Sequence, residues 1–206
     1  MNGTLARMFR SLRSLTEPAV QREARPVAKR PVIAESSFLD MQVRRLRERC
    51  VPGCELFIFL PSTPWHVDAL RRSQRFASEL AQAGHLVVYD CSGTISDGIG
   101  VKEIEPNLML YRGTTRHLAT LPDPILWTVL DNVSQRGRYP VNCRMVYDWT
   151  ENPDVLRRIH ERAMEDATVV VSVVPGNAEQ TNLLCVPCGA EAEHVPLLLD
   201  RLRDRE

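Results

Sequence analysis

The sequence predicts an α/β fold built on a mainly parallel sheet with helices on both faces. Three observations carry that expectation: a buried-looking apolar strand, an amphipathic helix that leads at once into a second strand, and further short apolar runs with a helical stretch between them. Leu56 to Leu60 is a continuous apolar run, as suits a strand covered on both faces. Pro61, Ser62, Thr63 and Pro64 stop it and leave a turn that carries Trp65 and His66 at the strand's carboxyl end. Open parallel sheets bind ligands at that edge. From Val67 to Ala83 the apolar residues Leu70, Phe76, Ala77, Leu80 and Ala81 share one helical face, and Gly84 supplies a C-terminal stop. Leu86 to Tyr89 forms the second strand, and Cys91 to Gly100, rich in Gly, Ser and Asp, reads as a loop. Strands are then expected at about 108–111, 125–130, 143–147, 168–174 and 183–186. A helix is expected at about 152–166, with Asn152 as N-cap and Pro153 at the first helical position.

The N-terminal part differs in kind. Residues 1–49 hold 11 Lys/Arg against 5 Asp/Glu, so the neutral formal charge of the 206-residue chain hides a basic first part and an acidic remainder. Residues 1–16 contain no acid, and Leu5, Met8, Phe9, Leu12 and Leu15 make a helical stripe opposite Arg7, Arg10 and Arg13. Such a segment suits peripheral contact with an anionic membrane surface or docking on a partner. Prolines at 18, 26 and 31 mark a linker, after which Ser36 or Ser37 caps a short helix to Arg49 with Phe38, Met41 and Leu46 on its apolar side. The expected division is therefore a basic extension and linker over 1–50, helical or disordered, and one α/β domain over 51–206.

Composition narrows the class of function. Apolar residues make up 44% and charged residues 25%, as in a globular protein, and no run approaches the roughly 20 apolar residues of a membrane-spanning helix. No export signal is seen, so a cytoplasmic location, with reduced cysteines, is expected. The pairs Cys50/Cys54 and Cys185/Cys188 have spacings that raise a four-thiolate zinc site, or a redox role for the second pair, against ordinary packing. Packing is the expected role, and neither metal nor cofactor is expected. Dinucleotide and phosphate-loop fingerprints, His-Glu-x-x-His, Gly-x-Ser-x-Gly and Asp-x-Asp are all missing. Nucleic-acid binding is disfavoured because the positive charge is confined to the tail.

The candidate site follows from strand ends. Trp65 can stack on a flat apolar face of a ligand, and His66 can accept a hydroxyl proton. Arg71, Arg72 and Arg75 begin the following helix, where they can add charge to a bound anion. Asp148 and Glu151 end another buried strand at the same edge, placed either to hydrogen-bond ligand hydroxyls, with one acting as base, or simply to complement a helix dipole. His117, His160 and His194 have no ligand-like spacing.

Several segments resemble, in order, the N-terminal domain of GT-B glycosyltransferases. These are Pro61-x-x-x-Trp65, Gln74-Arg75 opening "QRFASELAQAGHLVVYD", "NLMLYRG" from Asn107, "PILWTVLD" from Pro124, "RMVYDWTENP" from Arg144, "ATVVVSVVPGN" from Ala167 and "NLLCVPCGAEAEHV" from Asn182. The resemblance covers roughly residues 55–195; Cys188 stands where that family has Asn, and Glu191 where it has Asp. It implies a Rossmann-like acceptor-side half of an enzyme that moves a sugar from a nucleotide donor to a glycan, lipid-linked or small-molecule acceptor. His66 and Asp148 would be catalytic, and Trp65, Arg75 and Glu151 would bind substrate. The family's Gly-rich loop and paired-glutamate donor motif do not appear, so the implied enzyme needs a donor domain from elsewhere. The alternative is a non-catalytic Rossmann-like binding or scaffolding module.

Overall fold

The structure is a computed structural model that describes residues 32–62, 65, 71–92, 99–149, 156–173, 175 and 181–204. A division falls after Val32, and the unit Ile33–Glu206 carries the whole sheet. Its strands are β1 (Leu56–Phe59), β2 (Leu86–Asp90), β3 (Gly100–Glu105), β4 (Leu108–Arg112), β5 (Ile125–Thr128), β6 (Met145–Trp149), β7 (Val169–Ser172) and β8 (Leu183–Cys185). The helices are α1 (Val32–Arg49), α2 (Arg72–Gln82), α3 (Thr115–Leu118), α4 (Arg157–Asp166) and α5 (Glu191–Arg203), with a 3-10 turn at Val133–Arg138. The sheet order is β3-β4-β2-β1-β5-β6-β7-β8, and every pairing is parallel except β3 with β4. This is a Rossmann-like sheet, with the order reversing between β1 and β5.

Alternation along each strand sorts the core into two faces. Phe57, Phe59, Val87, Tyr89, Ile125, Trp127, Val146 and Val171 pack under α2 and α5. Ile58, Leu60, Val88, Met109, Tyr111 and Leu126 pack under α1 and α3 on the other face, and Met145, Tyr147 and Val170 pack under α4. The Trp127 ring lies 4.8 Å from both Phe59, nearly parallel, and Phe76 of α2. Each such aromatic pair contributes about 0.5–1.5 kcal/mol beyond its buried area. Helix α2 ends as the sequence requires: Gly84 takes φ +92°, its N–H reaches Ala81 O, and the His85 N–H reaches Leu80 O.

Helix α1 corrects the expected apolar side. Leu39, Val43 and Leu46 are buried, whereas Phe38 and Met41 stand 49% and 44% exposed. The buried trio is spaced by four and then three residues, the period that keeps side chains on one helical face. Gln42 of α1 also plugs the edge strand, its Oε1 accepting from Val101 N at 2.9 Å and its Nε2 donating to Val101 O at 3.4 Å. That covers an otherwise open strand edge.

Three elements lie outside the sequence expectations. β3 occupies the end of the region read as loop and the residues after it, joined to β4 by a turn in which Asn107 takes φ 67° behind Pro106. α3 is a single short helix. α5 forms despite Pro196 inside it, because Val195, Leu198, Leu199 and Leu202 complete the core under that face. Among the described residues no helix is long and apolar enough to cross a membrane, all six cysteines are free thiols, and no group of three or more His, Cys, Asp or Glu is arranged to hold a metal.

Candidate functional site

Four strands bring a polar residue to the carboxyl edge. Asp90, Thr128, Asp148 and Ser172 end or nearly end β2, β5, β6 and β7, and each is at most 1% exposed. At the β1/β5 reversal Asn132 sews the strand ends together, its Nδ2 donating to Leu60 O and its Oδ1 accepting from Val129 N, both at 2.9 Å.

Trp65 stands at this edge, half-buried and edge-on to Tyr89, with ring centroids 5.0 Å apart and planes at 74°. Gln74, fully buried in the first turn of α2, fixes it from one side: its Nε2 donates to Trp65 O at 3.2 Å, while its Oε1 accepts the Arg71 N–H at 2.6 Å. Gln74 was legible only as one member of the Gln-Arg pair. Its task is to tie the aromatic to the helix start. Burial pushes the Tyr89 phenol well above its ordinary range, with Ser62 hydrogen-bonding to it.

Asp148 sits on the same face of the sheet, because it alternates with Tyr147 and follows the parity of Val146. Its Oδ1 accepts from Arg72 Nε at 2.9 Å, and its Oδ2 accepts a longer bond from Ser73 Oγ at 3.5 Å. Arg72 Nη1 donates onward to Val186 O at 2.8 Å, so one guanidinium joins the start of α2 to the ends of β6 and β8. Burial raises the Asp148 carboxyl to about 6; the charge and hydrogen bond of Arg72, then Trp127 and Ser73, oppose it. Asp148 is 1% exposed and its Oδ1 is engaged by Arg72, so in this arrangement it holds Arg72 at the start of α2.

Arg75, one turn on, pairs with Glu191 at 2.9 Å, joining α2 to the first residue of α5. Burial disfavours the charged Glu191 carboxyl, but the Arg75 hydrogen bond and the backbone N–H groups of Glu191 and Gly189 outweigh it and hold it below its ordinary range. No known protein family matches this sequence, and no curated protein matches it. Of the predicted site residues, the structure brings Trp65, Asp148 and Arg75 to one edge and one face around α2. His66 and Glu151 lie outside the described residues. In the sequence Arg72 is one of three helix-start arginines and Glu191 a departure from the family motif; in the structure both are partners of predicted residues.

Proposed function

We propose that the chain is the acceptor-side half of a two-domain glycosyltransferase. It binds a glycan, lipid-linked or small-molecule acceptor at the carboxyl edge of the sheet, and a separate donor-binding domain closes the cleft from the other side. The observation that carries this reading is Trp65, anchored by Gln74 and Tyr89 beside the point where the strand order reverses. That is where doubly wound sheets take ligands, and a half-buried indole offers a flat apolar surface to a sugar ring. His66 and Glu151 complete the proposed contacts, His66 as the base that takes the acceptor proton. Asp148 enters the proposal as a positioning residue through Arg72. The basic stripe at residues 1–16 suits delivery of such a domain to an anionic cytoplasmic membrane face, where lipid-linked acceptors lie.

Glycosyl transfer needs donor carbon and acceptor oxygen held in one closed site. The purified chain, offered a panel of nucleotide sugars and acceptors with product mass spectrometry, is therefore expected to give no transfer, and addition of the matching donor domain is expected to give turnover that His66→Ala abolishes. Robust transfer by the chain alone would contradict the two-domain reading.

The second reading, a non-catalytic binding or scaffolding module, draws on the Arg72–Asp148 pair, which engages the carboxylate first expected to act in catalysis. Acceptor binding that never yields turnover with any donor domain would favour it.

A further inference from the structure

At the amino-terminal edge of the sheet, away from Trp65, three loops enclose a cleft of about 870 Å3. They are the segments that enter β1, β5 and β6, and those strands are neighbours in the sheet. Small-molecule sites span roughly 300–1,000 Å3, so this one has room for far more than a single water. Two of the loops are shaped from within: the Cys54 N–H donates to Val51 O at 3.0 Å across Pro52 and Gly53, and the Cys143 N–H donates to Pro140 O at 3.2 Å. Leu56 and Leu121, both buried, and the prolines at 52, 122, 124 and 140 give the lining its apolar part.

Charge decides what such a cleft accepts. Glu55 is spent on Arg144, whose Nη2 donates to its Oε2 at 2.7 Å. Asp123 is exposed and makes no ion pair among the described residues. Two carboxylates against one guanidinium leave the lining with one net negative charge, that of Asp123. The thiols of Cys50 and Cys143 add none, since burial pushes both of them up. Arg47 and Arg136 stand beside the lining rather than in it, each donating to a backbone carbonyl, Thr120 O and Val141 O. Behind Glu55, His85 accepts the Glu55 N–H on its Nδ1 at 3.1 Å, and burial lowers its pKa, so it is neutral as well.

The backbone singles out the same residue. Asp123 takes φ 40° between Pro122 and Pro124. Left-handed backbone suits glycine best, and a residue before proline is ordinarily extended. The chain thus holds a carboxylate where glycine would fold more easily, and strain of this kind gathers at ligand sites.

We propose that this cleft binds a small organic amine, with its apolar body against Leu56, Leu121 and the prolines and its ammonium group beside Asp123. The site is separate from the carboxyl edge and does not rest on the acceptor reading.

The test uses the 206-residue chain and three probes that share one body and differ in charge: phenethylamine, phenethyl alcohol and hydrocinnamate. In calorimetry at low salt the amine is expected to bind about fivefold tighter than the alcohol, as one partly exposed ion pair supplies, and hydrocinnamate most weakly. The amine is expected to slow modification of Cys50 and Cys54 by N-ethylmaleimide and to leave the exposed Cys188 unchanged. Asp123→Asn is expected to bring the amine to the affinity of the alcohol. Asp123→Gly is expected to do the same while unfolding at an equal or higher urea concentration, because relief of strain outweighs the added chain freedom. Trp65→Ala is expected to bind the amine as the parent does. Equal affinity for the three probes, no binding of the amine, or protection that misses Cys50 and Cys54 would overturn the proposal. So would an Asp123→Gly chain that unfolds at lower urea than the parent, which would make Asp123 a residue of the fold alone.

Discussion

Asp148 and Asp90 occupy the same kind of place and live differently. Each lies at the carboxyl end of a parallel strand, each is 1% exposed, and burial raises the carboxyl of each above its ordinary range. Asp148 faces the α2 side, where the first residue of that helix is an arginine that can reach it. Asp90 faces the α1 side, where the backbone and hydroxyl of Ser92 donate to its Oδ1, and its Oδ2 has no partner among the described residues. The partner supplied by the neighbouring element decides the role. A paired carboxylate ties two elements together at the edge; a half-satisfied one is tied only to its own strand end.

Changes on the two sides should therefore differ in size. Arg72→Met keeps much of the stem but strands the Asp148 carboxylate, and breaking a buried pair by removing one partner costs about 3–5 kcal/mol. Urea unfolding is expected to show a loss of that order, and a loss under about 1 kcal/mol would mean that the pair contributes as little as a surface one. Ser92→Ala on the Asp90 side removes the hydroxyl but keeps the backbone donor, so a loss of about 1 kcal/mol is expected in the same assay. A Ser92→Ala loss equal to that of Arg72→Met would erase the distinction between the two regions.

The smallest effect concerns pH. A carboxyl whose folded value is raised contributes stability that is fully present below its unfolded value and is lost as pH rises through the folded one. For Asp148 the window runs from about 4, the unfolded value, to about 6. Measured against Asp148→Asn across that range, the parent protein is expected to lose ground steadily as pH rises. A difference between the two that is flat over the window would show that Asp148 keeps its ordinary carboxyl value.

Much of the architecture was legible because it rests on short-range pattern. The runs LFIF and LVVYD, the amphipathic α2 and its Gly84 stop say where the first βαβ unit lies, and the later apolar runs give β4 to β8 within a residue or two. What escaped depends on tertiary partners. β3, whose GVKEIE lacks a period-two apolar pattern, is held by pairing with β4 and by Gln42 from a helix far away in sequence. α5 tolerates Pro196 because its apolar face is needed under α2. On α1, Phe38 and Met41 are as apolar as the residues that are buried, and only the position of the sheet selects Leu39, Val43 and Leu46. At the edge, strand ends identified Trp65 and Asp148 as neighbours of one site, but no spacing rule ties Arg72 to Asp148 across 76 residues or Arg75 to Glu191 across 116.

In the function proposed above, the carboxyl edge around Trp65 binds an acceptor sugar. The most direct test follows the three tryptophan indole N–H resonances of the 15N-labelled chain during titration with acceptor oligosaccharides. Saturable movement of the Trp65 resonance, with Trp149 unmoved and the response lost in Gln74→Ala, is the predicted result. Sugar binding that leaves Trp65 untouched and perturbs only residues at the opposite edge of the sheet, around Cys50, Cys54 and Cys143, would contradict it.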